Sequence, residues 1–137
     1  MALMIHDLNI LVIDDDPVVR ELMTEFLRSN NCHVTCCEDA QQGLDAMHLQ
    51  AFDLVVTDVK MAGLNGFEFL KIARANFPKI GIIIMTAYDE EYPLSQALRA
   101  GADGYISKPF NLSKFSLIFE KAYWSALSRQ DWWEEHA

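Results

Sequence analysis

Short continuous apolar runs alternate along this chain with longer runs in which apolar residues recur at helical spacing. Asn9 to Ile13 is the first apolar run, rich in β-branched residues, and it predicts a strand buried on both faces. Asp16-Pro17 then predicts a helix start, with Asp16 as the N-cap and Pro17 at the first helical position. Val18, Val19, Leu22, Met23, Phe26 and Leu27 fall on one face of that helix, and Asn30-Asn31 ends it. His33 to Cys37 predicts a second strand. Asp39 predicts the cap of a helix that buries Ala40, Leu44 and Met47.

The alternation continues to the end of the chain. Asp53 to Thr57 predicts a third strand, and a loop runs from Asp58 to Asn65. A helix from about Gly66 must stop before Pro78, because the residue ahead of proline is steered out of the helical region. Ile80 to Met85 is the most apolar strand. Pro93 to Ala100 predicts a helix with Gly101 as its C-terminal stop. Gly104 to Ser107 predicts a fifth strand, and Asn111 or Ser113 starts a last helix carrying Phe115, Ile118, Phe119 and Ala122. Strand and helix repeated five times predict a doubly wound, three-layer α/β/α fold with a five-stranded parallel sheet. Right-handed crossovers leave the flavodoxin-like order 2-1-3-4-5 as the expected topology.

The 137 residues make room for a single domain, expected over residues 1–127, with residues 128–137 as a C-terminal tail or the start of a linker. A hydrophobic fraction of 51% supplies a buried core and argues against global disorder. A formal net charge of −9 disfavours direct nucleic-acid binding and suits a cation site or a basic or apolar partner. No apolar run reaches membrane-spanning length, and Met1 to Asp7 lacks the basic start of an export signal. With three cysteines, Cys32, Cys36 and Cys37, this points to reduced thiols and a cytoplasmic location. The cysteines lie along one predicted strand, whose alternating faces keep them from converging with His33 on one ion, so buried or half-buried thiols are expected. Trp124, Trp132 and Trp133 lie beyond the expected end of the last helix and read either as a frayed tail or as a partner contact.

In a sheet of this order, chemistry gathers at the carboxyl ends of the strands, near the switch point between strands 1 and 3. Those ends carry Asp14-Asp15-Asp16, Asp58, Thr86-Ala87 and Lys108-Pro109. Crowded carboxylates need a cation, and oxygen-only ligands select a hard one: Mg²⁺, Mn²⁺ or Ca²⁺. Carboxylates, a metal, a lysine and a hydroxyl together describe a phosphoryl-transfer site in which an Asp is the nucleophile.

The segments Ile10-Leu11-Val12-Ile13-Asp14-Asp15-Asp16-Pro17, Leu54-Val55-Val56-Thr57-Asp58, Ile82-Ile83-Ile84-Met85-Thr86-Ala87 and Gly101 to Phe110 carry a resemblance. In order and spacing they resemble the receiver domains of two-component response regulators, of the chemotaxis-regulator type, over Leu8 to Ala122. The resemblance implies Asp58 as phosphoacceptor. It implies Mg²⁺, with Mn²⁺ as a substitute, held by Asp15 and Asp58, by Asp14 largely through water, and by the backbone carbonyl of Lys60. It implies Thr86 and Lys108 as phosphoryl contacts, Tyr105 as an aromatic switch, and a cis peptide bond at Lys108-Pro109. The implied donor is a histidine kinase or a histidine phosphotransfer protein. The implied readout is the surface of helix 4, strand 5 and helix 5, turned towards an output domain, a target or a second copy.

The sequence departs from the family pattern at Ala62, where a proline is usual. Lys60 and Tyr88 occupy variable positions that border the path of attacking water in the family. Their bulk implies slowed loss of the phosphoryl group. Two other functions fit parts of the chain. Asp14-Asp15-Asp16-Pro17-Val18 also matches the opening of haloacid-dehalogenase-type phosphohydrolases, with Asp14 as nucleophile and Asp16 as acid/base. A receiver fold can also serve as a phosphorylation-independent docking module.

Overall fold

In the computed structural model the apolar runs become the five strands of one parallel sheet, in the order β2-β1-β3-β4-β5. The structure describes residues 7–60, 63–87, 94–109 and 111–136, and for residues 94 and 131–134 the backbone alone. The strands are β1 (Asn9–Ile13), β2 (His33–Cys37), β3 (Leu54–Asp58), β4 (Gly81–Ala87) and β5 (Gly104–Lys108). They alternate with α1 (Pro17–Ser29), α2 (Ala40–Leu49), α3 (Gly66–Asn76), α4 (Leu94–Arg99) and α5 (Leu112–His136). This is the flavodoxin-like doubly wound architecture that the pattern predicts.

The burial of each strand follows its place in the sheet. The central β3 is buried throughout, while the edge strands β2 and β5 are only partly covered. Successive side chains point to opposite faces, so two cores form. One packs Ile10, Val12, Val56, Ile83 and Met85 against Met23 and Leu27 of α1 and Phe115 and Phe119 of α5. The other packs Leu11, Ile13, Val55, Ile82 and Ile84 against Leu44 of α2, Phe69 and Leu70 of α3, and Ala97 of α4.

Local sequence sets the helix starts. Asp16 accepts from Val18 N at 2.9 Å ahead of Pro17, and Asp39 accepts from Gln42 N at 2.8 Å. Asn65 and Glu68 form a reciprocal capping box at α3, with bonds of 2.9 and 3.2 Å. For α5 the cap is Asn111 rather than Ser113, since its side chain accepts from Lys114 N at 2.7 Å.

Several expectations change. Strands 3, 4 and 5 each run further than the sequence predicts, so Asp58, Ala87 and Lys108 are the last residues of their strands. On α1, Val18 and Leu22 are not core: they are 70% and 42% exposed. The sheet accepts one stripe, through Met23, Phe26 and Leu27, and Val18 and Leu22 flank it as an i,i+4 pair. Cys32 and Cys37 are buried, but Cys36 is exposed beside the Thr24 hydroxyl (3.1 Å), because β2 is an edge strand with one open face. Cys32 precedes β2 rather than lying in it. Helix α5 does not end before Trp124; it runs to His136. Its later turns are held to the body of the fold. Arg129 reaches the carbonyls of Pro78 (3.2 Å) and Ile80 (2.8 Å), and Gln130 reaches that of Lys79 (3.4 Å). Tyr88, Ala62, Pro93, Phe110 and the side chains of Trp132 and Trp133 lie outside the described residues.

Candidate phosphoacceptor site

The sheet register brings the chemistry together. Asp14 follows β1 directly, Asp58 closes β3 and Lys108 closes β5. In each strand the residue two positions earlier, Val12, Val56 or Ile106, belongs to the core shared with α1 and α5. Parity therefore turns all three side chains towards the same layer. The Lys108 ammonium lies 2.8 Å from Asp14 Oδ2 and 3.2 Å from Asp58 Oδ2, bridging the two carboxylates. Asp15 joins them: one carboxylate oxygen from each of Asp14, Asp15 and Asp58 lies within 4.8 Å of the others.

The three carboxylates differ in setting. Asp14 is fully buried, Asp58 is 7% exposed and Asp15 faces solvent. Asp14 is held on every side: its N–H donates to the Cys37 carbonyl (3.1 Å), and its Oδ1 accepts from Asp16 N (2.9 Å). Burial pushes the Asp58 carboxyl above the ordinary range; Lys108 pulls it down and the Asp14 charge pushes it up again. The backbone N–H of Lys60 also donates to Asp58. Burial works against the charge on Lys108. Its hydrogen bond to Asp14 and the fields of Asp58 and Asp14 outweigh that, and hold its pKa above the usual lysine value.

The loop after Asp58 depends on a close approach. A Cβ on Gly66 would sit 2.6 Å from the Asp58 carbonyl oxygen and 2.7 Å from Val59 Cα. Only glycine lets α3 begin this near the end of β3, and Gly66 N–H donates to the Val59 carbonyl at 2.8 Å.

Thr86 and Tyr105 occupy the opposite face. Thr86 pairs with Ser107 and Tyr105 with Ile84, and Ile84 belongs to the core of α2, α3 and α4. The buried Thr86 hydroxyl donates to the Ala87 carbonyl at 3.3 Å, and Tyr105 is half-buried against the second core. Asp14, Asp15, Asp58 and Lys108 thus form one bonded or near-bonded set, and Thr86 and Tyr105 stand beside it. The Lys108–Pro109 peptide bond is cis.

Two arrangements escape the sequence reading. Arg20 of α1 donates to the Asp14 carbonyl at 2.6 Å. Its signal is faint: a basic residue one turn into the helix behind an acidic run. The second is Asp103, whose side chain is buried between Arg74 and Arg129; these partners are 29 and 26 residues away in sequence and so invisible to local pattern.

The response regulator receiver domain family matches residues 10–120 of this chain. The chain belongs to that family. As a receiver domain it resembles the transcriptional regulatory protein ZraR of Escherichia coli K12, at 37% identity over 120 residues, covering 87% of this chain and 27% of ZraR. It is 37% identical over 114 residues to the transcriptional regulatory protein FixJ of Bradyrhizobium diazoefficiens, covering 83% of this chain and 56% of FixJ. The chain thus spans only a quarter to a half of these curated relatives. Among solved structures, the response regulator TrrA of Thermotoga maritima in complex with Mg²⁺–BeF superposes with a TM-score of 0.75 at 31% identity, covering 83% of this chain and 97% of that one. The acidic pocket of Asp14, Asp15 and Asp58 fits the phosphoacceptor site of a two-component receiver. No helix among the described residues is long and apolar enough to cross a membrane.

Proposed function

We propose that Asp58 is the residue phosphorylated and that a divalent cation, Mg²⁺ or in its place Mn²⁺, is held by Asp15, Asp58 and the Lys60 carbonyl, with Asp14 acting largely through water. The observation that carries this reading is the Lys108 ammonium bridging Asp14 and Asp58, a cation already placed between carboxylates that would otherwise repel. The donor set fits the ion: carboxylate oxygens only, three of them clustered, with Asp15 open to solvent. The Mg²⁺–BeF complex of TrrA supports it by similarity. When bound, the cation neutralises charge developing on the phosphoryl oxygens.

The chain's own residues supply the rest. An Asp58 carboxylate oxygen attacks phosphorus, forming the acyl phosphate as the donor's P–N bond, or the P–O bond of an acyl phosphate, breaks. The electron pair of the broken bond leaves with the donor. Lys108 moves from the Asp58 carboxylate to a phosphoryl oxygen, and its elevated pKa keeps it charged for that task. Thr86 releases its weak bond to Ala87 and turns its hydroxyl to the phosphoryl group. Tyr105 follows on the same face and alters the surface of α4, β5 and α5. In this reading the chain catalyses only its own phosphorylation and dephosphorylation. A histidine kinase or phosphotransfer protein is the donor, and an output domain, target or second copy reads the altered surface in the cytoplasm. The domain takes in α5 at least to Gln130, given the bonds of Arg129 and Gln130.

The phosphohydrolase reading is weaker on geometry. Asp14 is fully buried with both carboxylate oxygens engaged, and the Asp16 carboxylate caps α1 instead of facing a substrate. Acetyl phosphate with Mg²⁺, followed by intact mass, separates the readings. A single phosphoryl adduct on the native chain, absent in Asp58→Asn, is expected. An adduct that persists in Asp58→Asn, or none from any donor, overturns the proposal.

A further inference from the structure

Arg20 lies one turn into α1, the helix that begins directly after the acidic loop, and its guanidinium reaches back to the Asp14 carbonyl at 2.6 Å. That oxygen belongs to the peptide joining Asp14 to Asp15, the two neighbouring carboxylates of the cluster. The remaining polar atoms of Asp14 have other partners. Its N–H is held by β2, its Oδ1 by Asp16 N, and its Oδ2 by Lys108. The first two are bonds to backbone groups, one from the Asp14 N–H and one to its side-chain Oδ1. The third is temporary if Asp58 is the phosphoacceptor, because Lys108 bridges Asp58 as well and is drawn to the phosphoryl group.

We propose that Arg20 is a positioning residue for the cation site. Its charge-assisted bond fixes the direction of the Asp14–Asp15 peptide, and through it the two carboxylates that the loop presents to the ion. The need is greatest for Mg²⁺, whose octahedral shell tolerates little displacement of its ligands. The inference rests on the cation reading given under Proposed function.

Two effects of Arg20 oppose each other, and their signs differ. As a positive charge near the cluster, Arg20 repels a divalent cation, so its removal strengthens binding if charge alone matters. As a positioning group it holds the loop, so its removal weakens binding. The full chain is titrated with Mn²⁺, following free Mn²⁺ by electron paramagnetic resonance, and then with Mg²⁺ in competition. Arg20→Gln is expected to raise both dissociation constants about tenfold, the scale at which such supporting contacts act. Arg20→Lys, which keeps a charged donor, is expected to recover most of that loss.

An Arg20→Gln constant equal to or below the native one overturns the inference. So does an Arg20→Gln chain that cannot fold, since Arg20 would then be a determinant of the fold and not of the loop. Failure of the underlying reading is separate: there the native chain itself binds neither ion.

Discussion

Asp58 carries the tension in this molecule. Burial raises its pKa above the ordinary 3.8, with Lys108 pulling against burial and Asp14 adding to it. A carboxyl with a raised folded pKa is least comfortable when ionised, so at neutral pH it lowers stability. Asp58→Asn is therefore expected to stabilise the fold at pH 7, on the order of 1 kcal/mol, measured by urea denaturation. The pH dependence follows with a definite sign. As pH falls through the raised folded value towards 3.8, the folded chain takes up a proton that the unfolded chain does not, and stability rises. The native-minus-variant difference should shrink across that window. A difference that is flat with pH, or a destabilised Asp58→Asn, would contradict this account. Asp58 was legible as a strand-end carboxylate; its discomfort was not, since that depends on Asp14 and Lys108, 44 and 50 residues away in the chain.

At the scale of elements, α5 is tied to the body of the fold beyond Ser125 by a cluster of ion pairs and hydrogen bonds. The buried side chain of Asp103 accepts from Arg74 (2.9 Å), Arg129, Ser125 Oγ (3.0 Å) and Ile82 N (3.0 Å). The two guanidiniums also take the carbonyls of Pro78 and Ile80. Burial, and then the neighbouring Arg129, draw Arg74 below its usual range against the pull of Asp103. Removing the shared carboxylate leaves two guanidiniums facing each other. Asp103→Ala should thus cost about 3–5 kcal/mol, and Arg129→Ala less, because Arg74 still satisfies Asp103. Hydrogen exchange should quicken in the α5 turns after Ser125 in both variants. Equal losses for the two, additive in the double variant, would refute a shared cluster. Helical pattern foresaw α5 only through its apolar residues near Phe115 to Ala122. Its continuation is supported by Arg129 contacts with Asp103 and with the loop before β4, which no local pattern encodes.

For the whole molecule, the two faces of the sheet divide the labour. Asp14, Asp58 and Lys108 project with the α1–α5 core, while Thr86 and Tyr105 project with the α2–α3–α4 core. In the proposed reading, a covalent phosphate on one side is read on the other, across strands β4 and β5. The phosphorylated chain should accordingly change its hydrogen exchange in α4, β5 and the start of α5, and leave α2 and β2 unchanged. A Thr86→Ala chain that still forms the adduct should lose that response. An identical response in Thr86→Ala would remove Thr86 from the path.

The alternation of apolar runs, the caps at Asp16 and Asp39, and the strand-end placing of Asp14, Asp58, Thr86 and Lys108 were determined by sequence alone. They are local in origin: hydrophobic period, side-chain bonds to nearby N–H groups, and the rule that links strand ends to sites. Tertiary structure decided what depends on distant partners. It set which half of the α1 stripe is buried, how far α5 runs, and that Lys108 stands between Asp14 and Asp58. It also set Arg20 behind the Asp14–Asp15 peptide. Burial and ion pairing are properties of what arrives in space from elsewhere in the chain, and periodicity carries no record of that.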